Sequence, residues 1–251
     1  ASALVGQPGF VHSPEPRRLV VEASTLPHDP LEQNIREGAA LGLLGLEFSS
    51  LRRNRANGIV AARQHDRFEI AVEQSFGNCP QYIQRRQLQW RGDTTSKLSQ
   101  EVRLSSRARN LIEHSDTFFI ASAFDSHGTD MSHRGGRPGF VKGENEESFI
   151  FPDFRGNNHF NTLGNLQVNP RAGYLFLDFE SGDILYLTAT TEIVWEGPEV
   201  ESFEGAQRLV RSRVVEWRLV ENSVPFSWQL EEYSKGLKST GTWDVTPDIP
   251  R

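Results

Sequence analysis

One cysteine, Cys79, stands among 251 residues. An internal disulfide is therefore excluded, and so is a metal cluster built on cysteines. Long apolar runs are also missing. None approaches the roughly 18 residues that a membrane-spanning helix requires, so no membrane partner is expected. The first ten residues, ASALVGQPGF, lack the charged start and long apolar core of a secretion signal, and a cytoplasmic location is the expectation. Basic residues are outnumbered, 27 against 33, and the formal charge of −6 argues against a nucleic-acid partner. No G-x-S-x-G, Walker A or Rossmann fingerprint occurs, so hydrolase, NTPase and dinucleotide-binding readings lack support. His12, His28, His65, His114, His127 and His159 show no metal-ligand spacing such as H-E-x-x-H, and no metal is expected.

What is present is a repeat. Gly6-Gln7-Pro8-Gly9-Phe10-Val11 recurs as Gly136-Arg137-Pro138-Gly139-Phe140-Val141, an offset of 130. After a shift of one residue the match resumes, with Asn34 on Asn165, Gly42 on Gly173 and Leu46-Glu47-Phe48 on Leu177-Asp178-Phe179. Agreement at both ends of a span of some forty residues with one gap points to duplication. A first copy over 1–96 and a second over 97–251 follow, with the boundary near Gly92 to Ser96. An amphipathic stretch, Arg107 to His114, and a strand-like run, Thr117 to Ala123, precede the second motif, whereas almost nothing precedes Gly6. The first copy is therefore expected to lack its leading helix and first strand. The chain is expected to be a piece of a longer polypeptide, with another segment covering the strand edge left bare.

Strand signals dominate. In the first copy they cover Arg17 to Glu22, Ala40 to Phe48, Ile59 to Ala62 and Phe68 to Val72. In the second they cover Phe149 to Phe151, Gly173 to Phe179 and Ile184 to Thr190. Short helices are predicted over Leu31 to Glu37, Pro80 to Arg86, Leu98 to Glu101 and Phe203 to Arg211. The tail after Glu221, rich in Pro, Ser and Trp, is predicted to wrap over a barrel.

The chemistry-bearing residues cluster in the second copy. Ser132-His133-Arg134-Gly135-Gly136-Arg137-Pro138-Gly139-Phe140-Val141-Lys142 leads to Phe151-Pro152-Asp153-Phe154-Arg155-Gly156-Asn157-Asn158, then Asn161-Thr162-Leu163-Gly164-Asn165-Leu166 and Asn169-Pro170. This order resembles the pyridoxamine 5′-phosphate oxidase-like proteins, across most of Ser106 to Thr191. The resemblance implies a mainly β fold: two tandem FMN-binding split β-barrels, paired within the chain as a pseudo-dimer, with short helices. It implies FMN as cofactor, its phosphate held by Arg137 and Lys142, which are spaced as in the family's phosphate-binding strand. Arg155, Asn157, Asn158, Asn161 and Thr162 fall where the family's phosphate loop lies, although the family's common Ser-Arg-Lys run is absent there. An Asn/Gly-rich hairpin with solvated charges is the alternative reading of that loop.

In the first copy Gln7 and His12 stand in place of Arg137 and Lys142, so only the second copy is expected to supply a phosphate site. The first copy then serves as the opposite wall. If 51–61 is a strand, Arg53, Arg55 and Asn57 alternate onto one face. Gln74 and Ser75, just past the next strand, are the other polar candidates to face the flavin ring, and Arg53 or Arg134 is placed to stabilise an anionic reduced flavin. A solvated hairpin is the alternative for the arginine run. His133 reads as a proton donor, a substrate contact or a loop hydrogen-bond donor, and Cys79 as a reactive thiol or as packing. The implied function is an FMN-dependent oxidoreductase of an unassigned small-molecule substrate. Two alternatives stay open: a sensor or carrier of flavin, haem or deazaflavin without turnover, and a degenerate barrel used for interaction. A homodimer, or association with an absent N-terminal segment, also stays open.

Overall fold

The structure, a computed structural model, describes residues 1–92, 95–101, 103–124, 128–156 and 160–243. The repeated motif is a turn in both copies. Phe10 N–H donates to the Gln7 carbonyl at 2.9 Å, and Phe140 N–H donates to the Arg137 carbonyl at 2.9 Å. Gly9 and Gly139 take φ of 92° and 89°, which favours glycine. A Cβ at Gly6 would stand 2.3 Å from the Phe10 ring, and one at Gly136 would stand 2.2 Å from the Phe140 ring. The motif recurs because each position is demanded by backbone geometry or by the phenylalanine folded onto it.

The first copy runs β1 (Val11–Glu15), β2 (Arg18–Val21), α1 (Leu31–Asn34), β3 (Ala40–Glu47), β4 (Arg52–Arg63) and β5 (Phe68–Gly77). Its antiparallel sheet has the order β1-β2-β5-β4-β3. The connection holds β6 (Arg85–Trp90) and β7 (Lys97–Ser99). The second copy comprises α2 (Ser106–His114), β8 (Thr117–Phe124), β9 (Gly128–Gly135), β10 (Lys142–Asn145), β11 (Ser148–Phe154), α3 (Asn161–Val168), β12 (Arg171–Leu177), β13 (Ile184–Val194), α4 (Pro198–Glu201) and β14 (Ala206–Glu221). The tail adds β15 (Phe226–Glu232) and a 3-10 helix, Lys235–Ser239. The larger sheet is ordered β10-β11-β14-β13-β12-β8-β9, with β7 also on β14.

Its first five strands repeat the first copy's order, β1-β2-β5-β4-β3, element for element. The duplication is thus visible as topology. Among the described residues the first copy has no counterparts of α2, β8 and β9, two strands where the loss of one was expected. Three predicted helices are strands. The stretch Pro80 to Arg86 runs into β6, which pairs with β15; Leu98 lies in β7, which pairs with β14; and most of Phe203 to Arg211 opens β14. The pairing partners are distant in sequence, and β14 is held by β11 on one side and β13 on the other, so tertiary pairing overrides local propensity. The helix at α2 forms as predicted, with Ser105 Oγ capping it by accepting from Ala108 N–H at 3.2 Å. The tail wraps: β15 pairs with β6, and Trp243 Nε1–H donates to the Phe140 carbonyl at 3.1 Å.

The two cores are unequal. The second is aromatic, with Phe118, Phe140, Phe149, Phe151, Tyr174 and Phe176 fully buried. The first is small and mostly aliphatic, centred on Val21, Val60 and Ile70 with Phe68 among them. Each such side chain contributes roughly 1.5–3 kcal/mol on burial, so the second copy holds most of the hydrophobic stabilisation. The copies meet where β9 crosses β3. A Cβ at Gly42 would approach the Asp130 carbonyl carbon at 3.2 Å, so a glycine permits that close passage. No helix among the described residues is long and apolar enough to cross a membrane.

Candidate functional site

The junction of β4 with β9 carries a buried polar cluster drawn from both copies. Strand alternation on β4 buries Arg53, Arg55 and Asn57 and leaves Arg52 and Asn54 exposed. Facing them, β9 buries Asp130, Ser132, His133 and Arg134. Arg55 Nη1 donates to Asp130 Oδ1 at 2.6 Å, and its Nη2 donates to Ser132 Oγ at 2.7 Å. The other Asp130 oxygen accepts from Thr162 Oγ1 at 2.6 Å, which ties the start of α3 to the same carboxylate. Arg134 Nη1 also donates to Ser132 Oγ, at 3.1 Å.

Arg53 differs from its neighbour. Its Nη2 donates to the Cys79 carbonyl at 2.7 Å and its Nη1 faces His133 Nδ1 at 3.3 Å. Both partners are neutral, and among the described residues no ion pair to a carboxylate is made by Arg53. Burial, and then the like charge of Arg55, pull the Arg53 guanidinium down from its ordinary range to about 10. Burial likewise holds His133 well below its ordinary 6.5, reinforced by the charges of Arg53 and Arg134, so the imidazole is neutral. An arginine cannot accept a hydrogen bond, so Nδ1 must be the acceptor and the ring proton sits on Nε2.

These groups line a cavity of about 210 Å³ between the copies, which Asp153, Tyr82 and Cys79 share. Its wall holds Arg53, Arg55 and Arg134 with Asp153 as the carboxylate among its lining residues. Asp153 stands 3.8 Å from Arg134 and 3.5 Å from Arg208. Arg53 Nε, Arg55 Nε and His133 Nε2 are buried donors with no protein partner. Among the described residues no group of His, Cys, Asp and Glu is arranged to hold a metal.

Of the residues singled out by sequence, Arg53, Arg55, Asn57, His133, Arg134 and Thr162 come together here. Asn161 is the first residue of α3, beside Thr162, and is half-buried. Arg137 and Lys142 lie elsewhere. Arg137 sits in the exposed turn, its Nε donating to the Leu237 carbonyl at 3.2 Å, and lines a separate hollow of about 470 Å³ with Tyr233 and Lys235 of the tail. Lys142 is exposed at the head of β10, with Nζ 5.3 Å from the Trp243 ring centre. Arg155 is exposed, and its carbonyl accepts from Tyr82 Oη at 2.8 Å. Gln74 and Ser75 are exposed on β5, Gln74 accepting from Asn57 Nδ2 at 3.4 Å. Asn157 and Asn158 lie outside the described residues. Sequence reasoning passed over Asp130 and left His133 open between a proton donor, a substrate contact and a loop donor. The signal was the alternation of Asp130, Ser132 and Arg134, polar groups on one face of a strand inside the fold.

No family model matches the chain, and no curated protein matches it. Solved structures do show similarity. HutZ, the haem storage protein from Vibrio cholerae, is 14% identical, over 47% of this chain and 95% of that one, with a TM-score of 0.35. A FAD-binding protein from Mesorhizobium loti is 10% identical, over 51% and 99%, with a TM-score of 0.37. A Clostridium acetobutylicum protein related to general stress protein 26, of the pyridoxinephosphate oxidase family, is 11% identical, over 49% and 92%, with a TM-score of 0.35. Each of these structures covers about half of this chain, which itself holds two tandem copies of one antiparallel strand order packed against each other.

Proposed function

We propose that the protein binds FMN where β4 of the first copy faces β9 and the start of α3 of the second, and that it is an FMN-dependent oxidoreductase acting on a small molecule. The observation that supports this reading is the cavity between the copies, into which three arginines and a neutral histidine are gathered. Arg53 is a buried cation whose partners, the Cys79 carbonyl and His133, are neutral, and an anionic ligand against the wall compensates that charge. The residues present therefore fit a flavin nucleotide. At about 210 Å³ the cavity is smaller than the roughly 300–1,000 Å³ of pockets that enclose whole ligands, so it receives one part of the molecule.

When bound, the flavin supplies the redox chemistry. The chain's own groups bind and orient. Arg53 and Arg134 place positive charge at the cavity wall, which favours an anionic form of whatever lies against it. Asp130 fixes Arg55 and, through Thr162, the start of α3. The paired barrels keep bulk water from these groups, so their charges act at short range. Arg137, Lys142, Arg155, Asn157, Asn158 and Asn161 remain proposals for the remainder of the cofactor, and a cytoplasmic setting is proposed with them.

The test is the visible absorption spectrum of the purified protein, with mass spectrometry of what heat releases. Flavin bands and released FMN are expected. A haem spectrum, or a colourless protein that takes up no added FMN, would overturn the reading.

A further inference from the structure

We propose that the free edge of β3 is a docking site for an extended apolar strand of a partner polypeptide, which adds antiparallel to the sheet of the first copy. The surface lies apart from the cavity, and the inference does not rest on the flavin reading.

The duplication supplies the comparison. By position β3 is the counterpart of β12: Gly42 matches Gly173, and each stands opposite the matching residue of the next strand, Asn57 and Thr188. β12 has two strand neighbours, β13 and β8, and β8 runs antiparallel to it from Phe118 opposite Phe176 to Ser122 opposite Ala172. β3 has one, β4, and ends the order β1-β2-β5-β4-β3. Among the described residues its outer edge makes no backbone hydrogen bond. Alternate residues of an edge strand turn N–H and C=O outward, so a row of donors and acceptors stands open there. Burial differs accordingly. Ala172, Tyr174, Leu175 and Phe176 of β12 are buried, whereas no residue of β3 is. β9 does not fill the place. It crosses the face of β3 at Gly42, where a Cβ would point, and forms no ladder with it.

The residues of β3 are those of an edge that pairs. At the opposite ends of the two sheets the outer strands are blunted: β1 is five exposed residues with Pro14 and Glu15, and β10 is four residues with Lys142 and Glu144. Proline and charge keep such edges from pairing. β3 reads Ala-Leu-Gly-Leu-Leu-Gly-Leu-Glu, with no proline and no charge before Glu47. Leu41 and Leu43 pack toward the core of the first copy, and alternation puts Leu44 and Leu46 on the other face. A strand laid along this edge meets leucine on both faces, so the occupant that fits is uncharged over the paired residues and apolar on each side. The second copy's β8, Thr117–Phe124, has that chemistry. Main-chain bonds would set the direction of the added strand, and the leucines its composition. A second copy of the chain has no such strand to lend, because its β8 is already held between β12 and β9.

The probe is a labelled peptide with the sequence of Thr117–Phe124, flanked by lysines for solubility and titrated with the full chain by fluorescence anisotropy. Saturable binding at one peptide per chain is expected. N-methylation of alternate residues along one edge of the peptide should weaken binding at least tenfold, since several main-chain bonds are lost, while methylation of the other set should change it less than about threefold. Gly45→Glu places a charge within the paired stretch. A Cβ there meets only the Asn54 carbonyl oxygen, at 3.9 Å, so the fold has room for it. Its melting temperature should stay within about 2 °C of the wild type, and its affinity for the peptide should fall at least tenfold in spite of the lysine flanks. Binding indifferent both to N-methylation and to Gly45→Glu would overturn pairing at this edge, as would no binding at all. A wild type that sediments as a dimer, becomes a monomer in Gly45→Glu and refuses the peptide would give the edge to a second copy and overturn the partner strand.

Discussion

Replacing Asp130 by alanine strips Arg55 of its carboxylate while leaving the guanidinium sealed between β4 and β9. Both side chains are almost wholly inaccessible, at 2% and 1% exposure, and the two meet at 2.6 Å. Water cannot take over as the partner of a charge so placed. Removing one member of such a pair typically destabilises by about 3–5 kcal/mol, because a buried charge is left uncompensated. Thr162 loses its acceptor in the same substitution, and the start of α3 is released from β9. Spread over a chain of this size, the change corresponds to a fall in melting temperature of about 6–20 °C. Urea unfolding of the wild type, Asp130→Ala, Arg55→Met and the double variant Arg55→Met/Asp130→Leu measures it. The double variant should recover most of the loss, since two apolar groups of similar volume leave nothing unpaired. A single-variant loss under about 1 kcal/mol, or simple additivity of the two substitutions, would refute the claim that this pair joins the copies.

Two other predictions concern the same cluster. The imidazole of His133 stays neutral in the folded chain, while in the unfolded chain it takes a proton below its ordinary 6.5. Its contribution to stability is therefore whole above that pH and is lost as pH falls through it, at up to about 1.4 kcal/mol per pH unit. Burial raises the Asp29 carboxyl, which acts with the opposite sign, so the measurement is the difference between wild type and His133→Gln from about pH 7.5 to about pH 5.5. A wild type no more acid-sensitive than the variant would contradict the assignment. Arg137→Ala should weaken FMN binding about threefold in a calorimetric titration that shows a tenfold or larger loss for Arg53→Gln, because Arg137 lies in the turn against the tail and not at the cavity. Equal losses would return the phosphate to the turn.

Much of the architecture could be read from residues alone, for reasons the structure makes plain. The recurring Gly-x-Pro-Gly-Phe was legible because a turn with positive φ and a ring folded onto glycine constrains every position of the motif. The inward set Arg53, Arg55 and Asn57 was legible because strand alternation is strict. What stayed hidden depends on partners far away in the chain. Nothing near Arg85 reveals that β15, about 140 residues on, will pair with it, so Pro80 to Arg86 read as a helix. Arg137 and Lys142 have the right spacing for a phosphate strand, but the turn between them directs both toward the tail. His133 stayed open between a proton donor, a substrate contact and a loop donor, because Arg53, whose contact fixes its tautomer, stands 80 positions earlier.

The central claim is that one anionic flavin nucleotide sits between two unequal copies. Among the described residues β9 comes from the second copy alone, and the cavity depends on β9 meeting β4. At the related position on the other side of the pair no counterpart of β9 is found among the described residues, and Gln7 stands where the second copy has Arg137. Titration of FMN-free protein with FMN, followed by quenching of flavin fluorescence, reads the stoichiometry directly. One tight site per chain, abolished or much weakened by Arg53→Gln, is the predicted result. Two equivalent sites per chain, or tight binding indifferent to Arg53, would contradict it.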